Sequence, residues 1–182
     1  MISTSFIIPT EELTLTAMAN FREGAKQAAV ARAVTLRVAP TANQVTVRGP
    51  QPTLDFGATN DFWETAALAA RGTAYSVFNG AVAPTLAANK LCVFYKVGIA
   101  SAPVNVSRLT FRSGGATGNI IYEFDLEQLI NAQSTEGYFS EPVVLDPTTP
   151  FAAQVLCRVA SGVLELVELG GYIVEPRGQT IS

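Results

Sequence analysis

The residues best spaced to do chemistry are three acids at alternate positions, Glu123, Asp125 and Glu127. Side chains two apart on a β-strand point to one face, so these carboxylates could bind a hard cation or act as the acid pair of a hydrolase. A carboxylate hydrolase would lose turnover in Glu123→Gln and Asp125→Asn variants that still fold. We favour a solvated strand face, because no complementary ligand residues lie nearby in the sequence.

Other forms of active-site chemistry receive little support. The 182 residues include no histidine, which excludes imidazole as a general base, proton shuttle or zinc ligand. The glycines at 114, 115 and 118 lack the Gly-Lys-Ser/Thr ending of a phosphate-binding loop and indicate a hairpin turn. Cys92 and Cys157 lie within apolar runs and are predicted to be buried core residues. We therefore predict no catalytic residue, cofactor or metal, and no enzyme activity.

The charge distribution argues against a nucleic-acid partner. The net charge is −3, with five Lys or Arg against three Glu in residues 1–50 and seven against twelve acids in the remainder. The basic residues of the first part are spread out, whereas phosphate contacts need clustered cations. No apolar run approaches the roughly 18 residues of a membrane span, and the N-terminus lacks the basic flank of a secretory signal. We expect a protein made in the cytoplasm that binds neither membranes nor nucleic acid directly.

The hydrophobic patterning predicts a mainly β protein. Apolar residues make up 48% of the chain, and 14 Gly and 10 Pro divide it into short segments. Residues 1–20 are predicted to form an extended N-terminal arm, and residues 21–182 a single β-sandwich domain. The strand count favours a jelly-roll-like two-sheet sandwich with one to three short helices. The predicted strands are Val34–Val38, Val45–Arg48, Thr73–Phe78, Leu91–Ile99, Val106–Arg112, Ile120–Leu126, Tyr138–Leu145, Phe151–Val159 and Val163–Val174.

Three segments have helical patterns. A modest helix is predicted over Asn20–Ala33, and a brief one over Leu126–Ala132 with Asp125 as its cap. Asp61 with Glu64 resembles a capping box, which predicts a helix ending near Ala70 with Phe62, Ala66 and Ala70 on its packing stripe.

Charges alternate with apolar residues on two successive strands. Arg108 and Arg112 belong to one strand, and Glu123 and Asp125 to the next. Pairing of the two strands would bring these opposite charges together, so cross-strand salt bridges are predicted.

Several stretches resemble structural proteins of tailed phages, and in particular capsid decoration, or cement, proteins. They are Thr10–Thr16, Val47–Pro50, Glu136–Pro142 and Gly170–Gly178. The resemblance implies a virion protein on the capsid surface with a jelly-roll body, often a homotrimer. Its partner would be the major capsid protein of the same virion, which it would clamp and stabilise while the N-terminal arm reaches along the shell.

The same resemblance suggests which residues meet the partner. Apolar arm residues would act as anchors, and the basic residues after the arm would pair with acids on a neighbour. The candidate partner-binding residues are Phe6, Ile7, Ile8, Leu13, Leu15, Phe21, Arg22, Lys26 and Arg32.

A carbohydrate- or receptor-binding β-sandwich module of a phage tail or fibre is the alternative. Such a module would display exposed aromatic platforms. Trp63 and the five tyrosines mostly lie in apolar runs, which favours packing in the core instead.

Overall fold

Ten β-strands form two facing five-stranded sheets in a computed structural model of the chain. The structure describes residues 3–102 and 104–178. The strands are β1 Ser3–Thr4, β2 Ile7–Pro9, β3 Val45–Arg48, β4 Ala74–Ser76, β5 Leu91–Ile99, β6 Val106–Ser113, β7 Asn119–Asp125, β8 Glu136–Leu145, β9 Phe151–Cys157 and β10 Val167–Pro176. The α-helices are α1 Leu15–Thr35, α2 Pro52–Phe56 and α3 Glu127–Asn131, and single turns of 3₁₀ helix cover Thr10–Glu12 and Ala42–Gln44.

The strand order is that of a jelly roll. One sheet has the order β1-β7-β6-β9-β4 and the other β2-β8-β5-β10-β3. From β3 to β10 the chain changes sheet at every connection except the β6–β7 hairpin, and all pairings among these eight strands are antiparallel. Strands β1 and β2 then extend the two sheets at β7 and β8. The predicted mainly β sandwich is confirmed.

The main core lies between the sheets and is built around aromatic rings. Phe124 stacks on Phe139 with ring centroids 4.2 Å apart, and Phe111 contacts both rings edge-on. Leu109 and Phe111 are buried, as the alternation predicted, while Arg108 is exposed and Arg112 is half-buried. Cys92 and Cys157 are buried free thiols, and burial raises the pKa of Cys92 well above its ordinary value.

Helix α1 covers the outer face of the β2-β8-β5-β10-β3 sheet. Ala25, Ala29 and Ala33 form its buried stripe and belong to a second core cluster with side chains of β5 and β10. These small side chains let the helix approach the sheet closely. The predicted helix is therefore present but longer than expected. The predicted strand Val34–Val38 is wrong, because the helix continues to Thr35 and a turn follows it.

The predicted helix over residues 61–70 is also wrong. This segment is extended, and Glu64 forms an isolated antiparallel bridge with Leu166. The Glu64 carboxylate does not cap a helix but is buried, where it accepts a hydrogen bond from Asn60 Nδ2 at 2.7 Å. Pairing with a distant part of the chain thus overrides the helical preference of the local alanines. The short helix after Asp125 is confirmed as α3, and Asp125 Oδ1 accepts the N–H of Glu127.

Candidate interaction surface

The N-terminal residues are fixed on the chain's own body by backbone pairing. β1 pairs in parallel with β7, and β2 pairs antiparallel with β8 through Ile7↔Phe139 and Ile8↔Tyr138. The Ile7 N–H also donates to Gln128 Oε1 at 3.1 Å. The arm therefore covers one edge of each sheet, which would otherwise expose unpaired backbone groups.

A glycine makes room for this pairing. A Cβ at position 137 of β8 would overlap the Ile7 side chain and lie 2.8 Å from Leu129 Cδ2. Glycine at this position therefore allows β2 and α3 to pack against β8 at close range.

The arm residues predicted as anchors have different environments. Ile7 is 2% exposed and belongs to the chain's own core. Phe6 is 52% exposed, and Ile8 and Leu13 are half-buried. Leu15, the first residue of α1, is 84% exposed, the highest value among the large apolar side chains of the described ranges. Leu15 and Phe6 are therefore the displayed members of this set.

Helix α1 begins at Leu15 because Thr14 caps it. Thr14 Oγ1 accepts the N–H of Ala17 at 3.1 Å. Leu15, Arg22 and Lys26 are separated by seven and four residues, so they lie on one stripe of the helix. All three side chains are exposed.

Tyr138 joins the arm to this part of α1. It is the cross-strand partner of Ile8, its ring centroid lies 5.6 Å from that of Phe21, and its hydroxyl accepts a hydrogen bond from Arg22 Nη2 at 3.3 Å. That hydrogen bond raises the pKa of Arg22, so its guanidinium stays charged. We call the group Ile8, Leu15, Phe21, Arg22 and Lys26 the α1 surface.

Two further tyrosines underlie the α1 surface. The rings of Tyr95 and Tyr172 have centroids 5.4 Å apart, and Tyr95 also stacks near Tyr138. Burial raises the pKa of Tyr95 to about 12, so the Tyr95 hydroxyl stays neutral at physiological pH. A shallow, mainly apolar groove of about 470 Å³ runs beside it, lined by Ala17, Asn20, Phe21, Gly24, Ala25 and Pro142.

The three predicted basic contacts are not equivalent. Arg32 forms a bidentate pair with Asp146, with hydrogen bonds of 3.0 and 2.6 Å, so its charge is balanced within the chain. Lys26 forms no ion pair with any residue in the described ranges. Arg22 has only the Tyr138 hydroxyl as its hydrogen-bond acceptor there. The α1 surface thus presents two cations beside apolar groups.

Two of the three acids singled out for chemistry, Glu123 and Asp125, have structural partners. Glu123 lies 3.6 Å from Arg108 across the β6–β7 pair, which confirms one predicted cross-strand salt bridge. Arg112 instead donates to Gln154 Oε1 and to the Gly118 carbonyl. Among the described residues, no three His, Cys, Asp or Glu side chains come close enough to share a metal ion.

The sequence pattern did not predict a second exposed surface, which is apolar. Phe62, Ala66 and Ala70 were predicted to pack inward, but all three are exposed in the extended segment that replaces the expected helix. The feature of the sequence that sets this segment apart is its low charge, because residues 62–70 contain only one ionisable residue.

The architecture defines a jelly-roll β-sandwich with two added edge strands and a covering helix. The chain matches no protein-family model, and no curated protein or solved structure is significantly similar to it. No helix within the described ranges combines the length and apolar character needed to cross a bilayer.

Proposed function

We propose that this chain is a virion structural protein, a decoration or cement protein that binds the major capsid protein and stabilises the shell. The protein acts as a homotrimer on the capsid surface. The α1 surface is the observation that carries the proposal. It places a strongly exposed leucine and two cations on one stripe of α1, where Arg22 donates a hydrogen bond to Tyr138 of β8.

The composition of the α1 surface suits a protein partner with acidic groups. Leu15 and Phe21 offer apolar area, and Arg22 and Lys26 offer positive charge next to it. Apolar anchors supply binding energy at interfaces, while complementary charges set orientation and speed association. Acidic residues of a capsid protein, placed around an apolar depression, would match this arrangement.

Many copies of the protein bound to one shell would stabilise it together. A ligand that binds only the assembled state stabilises that state by mass action. Symmetric copies that each contact neighbouring subunits gain further from their high effective concentration on the shell. The bound copies together would therefore stabilise the shell even if the contact at each α1 surface is weak.

Reversing both charges of the α1 surface should weaken binding to the shell. In Arg22→Glu/Lys26→Glu we expect an affinity for capsid shells at least about tenfold lower than that of the unaltered chain, with a smaller salt dependence. Co-sedimentation with shells of the same virus at several salt concentrations measures both effects.

The matched control reverses two exposed arginines beyond the other end of α1, Arg37→Glu/Arg177→Glu. It changes the net charge equally and should bind almost as well as the unaltered chain. Equal losses in the two double variants would mean that total charge, not the α1 surface, governs binding.

The carbohydrate-binding alternative gains no support from Trp63 or from the tyrosines. Trp63 and four of the five tyrosines are half-buried, and Tyr138 is buried. A sugar platform needs an aromatic face open to solvent. Binding of the intact protein to sugars on a glycan array would support this alternative.

A further inference from the structure

Two connections of the sandwich pair with each other to form what we call the apolar ribbon, residues 62–70 and 159–167. The N–H of Val167 donates to the Trp63 carbonyl at 2.9 Å, and the N–H of Leu68 donates to the Val163 carbonyl at 2.9 Å. These and neighbouring backbone bonds hold residues 63–68 and 162–167 side by side in an antiparallel arrangement.

The ionisable side chains of the apolar ribbon are buried against the body of the protein. It contains only two ionisable residues, Glu64 and Glu165, which are 8% and 4% exposed. The carboxylate of Glu165 accepts hydrogen bonds from the Ser101 N–H at 3.1 Å and from Asn105 Nδ2 at 3.2 Å. Both glutamates therefore anchor the ribbon to the body and contribute little charge to its outer side.

The outer side is almost entirely apolar. Phe62 is 66% exposed and Val163 is 61% exposed. Leu164 and Leu166 flank the buried Glu165, so alternation along the extended chain places them on the face away from the body. The exposed apolar residues of the ribbon are Phe62, Ala66, Ala67, Ala69, Ala70, Val159, Ala160, Val163, Leu164 and Leu166.

We infer that the apolar ribbon is the surface through which copies of this chain associate with one another. Contiguous exposed apolar area of this kind marks interaction sites. Interfaces between identical subunits are more apolar than transient ones, and charged residues are depleted at their centre. A patch without exposed charge offers nothing for an oppositely charged partner to complement, and copies related by a closed rotational symmetry can bury such patches against one another around the symmetry axis.

The inference extends the proposed function, since it names the surface that joins the copies of the decoration protein. The apolar ribbon and the α1 surface have no residue in common. Self-association through the ribbon and binding to the shell can be tested independently. Copies can associate through the ribbon even if the protein binds no shell, and a monomer can still bind the shell.

The test replaces two exposed ribbon residues by charge. The full-length chain should have a solution mass that is a multiple of 19.2 kDa, measured by size-exclusion chromatography with light scattering. Leu164→Glu/Leu166→Glu should dissociate to 19.2 kDa over the same concentrations, corresponding to at least about a hundredfold weaker association. The matched control is Val82→Glu, at a residue 65% exposed outside the ribbon, and should retain the oligomeric mass.

A second measurement needs no variant and so does not depend on variant folding. Hydrogen exchange of the unaltered chain should slow with rising protein concentration at amides of residues 62–70 and 159–167, and remain constant in β5 and β6. A monomeric unaltered chain, or an oligomer whose protected amides lie elsewhere, would overturn the inference. So would a monomer whose ribbon amides become protected only on lipid vesicles or capsid shells, because the occupant would then not be a second copy.

Discussion

Replacing Asp55 by Asn should lower the free energy of unfolding by about 3 to 5 kcal/mol, the usual cost of breaking a buried ion pair by removing one partner. The Asp55 side chain is 0% exposed and lies at the centre of a charged network. Arg48 donates two hydrogen bonds of 2.7 Å to it, Lys90 Nζ lies 3.2 Å from Oδ1, and the Gln51 N–H donates to Oδ2 at 2.9 Å. Within the described ranges, removing the carboxylate charge leaves Arg48 with Glu175 as its remaining ion-pair partner and Lys90 with none.

The same network predicts how stability depends on pH. Burial alone would raise the pKa of Asp55, but hydrogen bonds from Arg48 and the Gln51 backbone outweigh it, and the pKa lies below its ordinary value. A carboxyl with a lowered folded-state pKa stabilises the fold above the unfolded-state pKa of about 3.9, and this contribution is lost as the pH falls towards the folded-state pKa. Urea unfolding from neutral pH down through this range should show a smaller acid-induced loss in Asp55→Asn than in the unaltered chain.

A matched control is available on the surface. Asp146 forms a bidentate pair with Arg32, but the two side chains are 36% and 44% exposed. Exposed pairs contribute about 0.2 to 1 kcal/mol, so Asp146→Asn should have a small effect in the same urea experiment. Similar losses in the two variants would contradict the assignment of Asp55 as a buried structural charge.

Truncation of Phe94 to Ala should also cost about 3 to 5 kcal/mol. Phe94 is fully buried, and its ring lies 5.9 Å from those of Phe56 and Phe111 and 6.1 Å from that of Trp63. Its loss would leave a cavity where β5 faces the opposite sheet. Urea unfolding followed by circular dichroism measures the change.

Phe62→Ala is the control for this substitution, since Phe62 is 66% exposed. Its unfolding free energy should change by about 0.5 kcal/mol or less at protein concentrations low enough to keep the chain monomeric. A cost comparable to that of Phe94→Ala would mean that Phe62 packs into the core, and the outward side of the ribbon would then be wrongly assigned.

Strands with strong local patterns could be predicted from the sequence. The continuous apolar run of β5 and the alternation of β6 and β7 predict which large apolar side chains face the core. Those side chains are buried or half-buried in the structure. The pairing of β6 with β7 also followed, since Arg108 lies opposite Asp125 and 3.6 Å from Glu123 on the adjacent strand. These features depend on neighbours that are close in the chain.

Features set by distant contacts could not be predicted. The alanines between Phe62 and Ala70 favour a helix locally, but backbone bonds to residues 163–167 hold the segment extended. The Arg48–Asp55 pair also involves Glu175, which lies 127 residues from Arg48. For Phe6, Ile7 and Ile8 no local pattern indicates which side chain faces the core, because that depends on pairing with β8.

The thermal stability of capsid shells tests the central claim most directly. Empty shells built from the major capsid protein of the same virus should disassemble at a higher temperature when this protein is added, with a saturable shift whose plateau reflects a fixed number of copies per shell. Light scattering on heating, with and without the full-length chain, gives this shift. A disassembly temperature that does not change at saturating concentrations would contradict a cementing role.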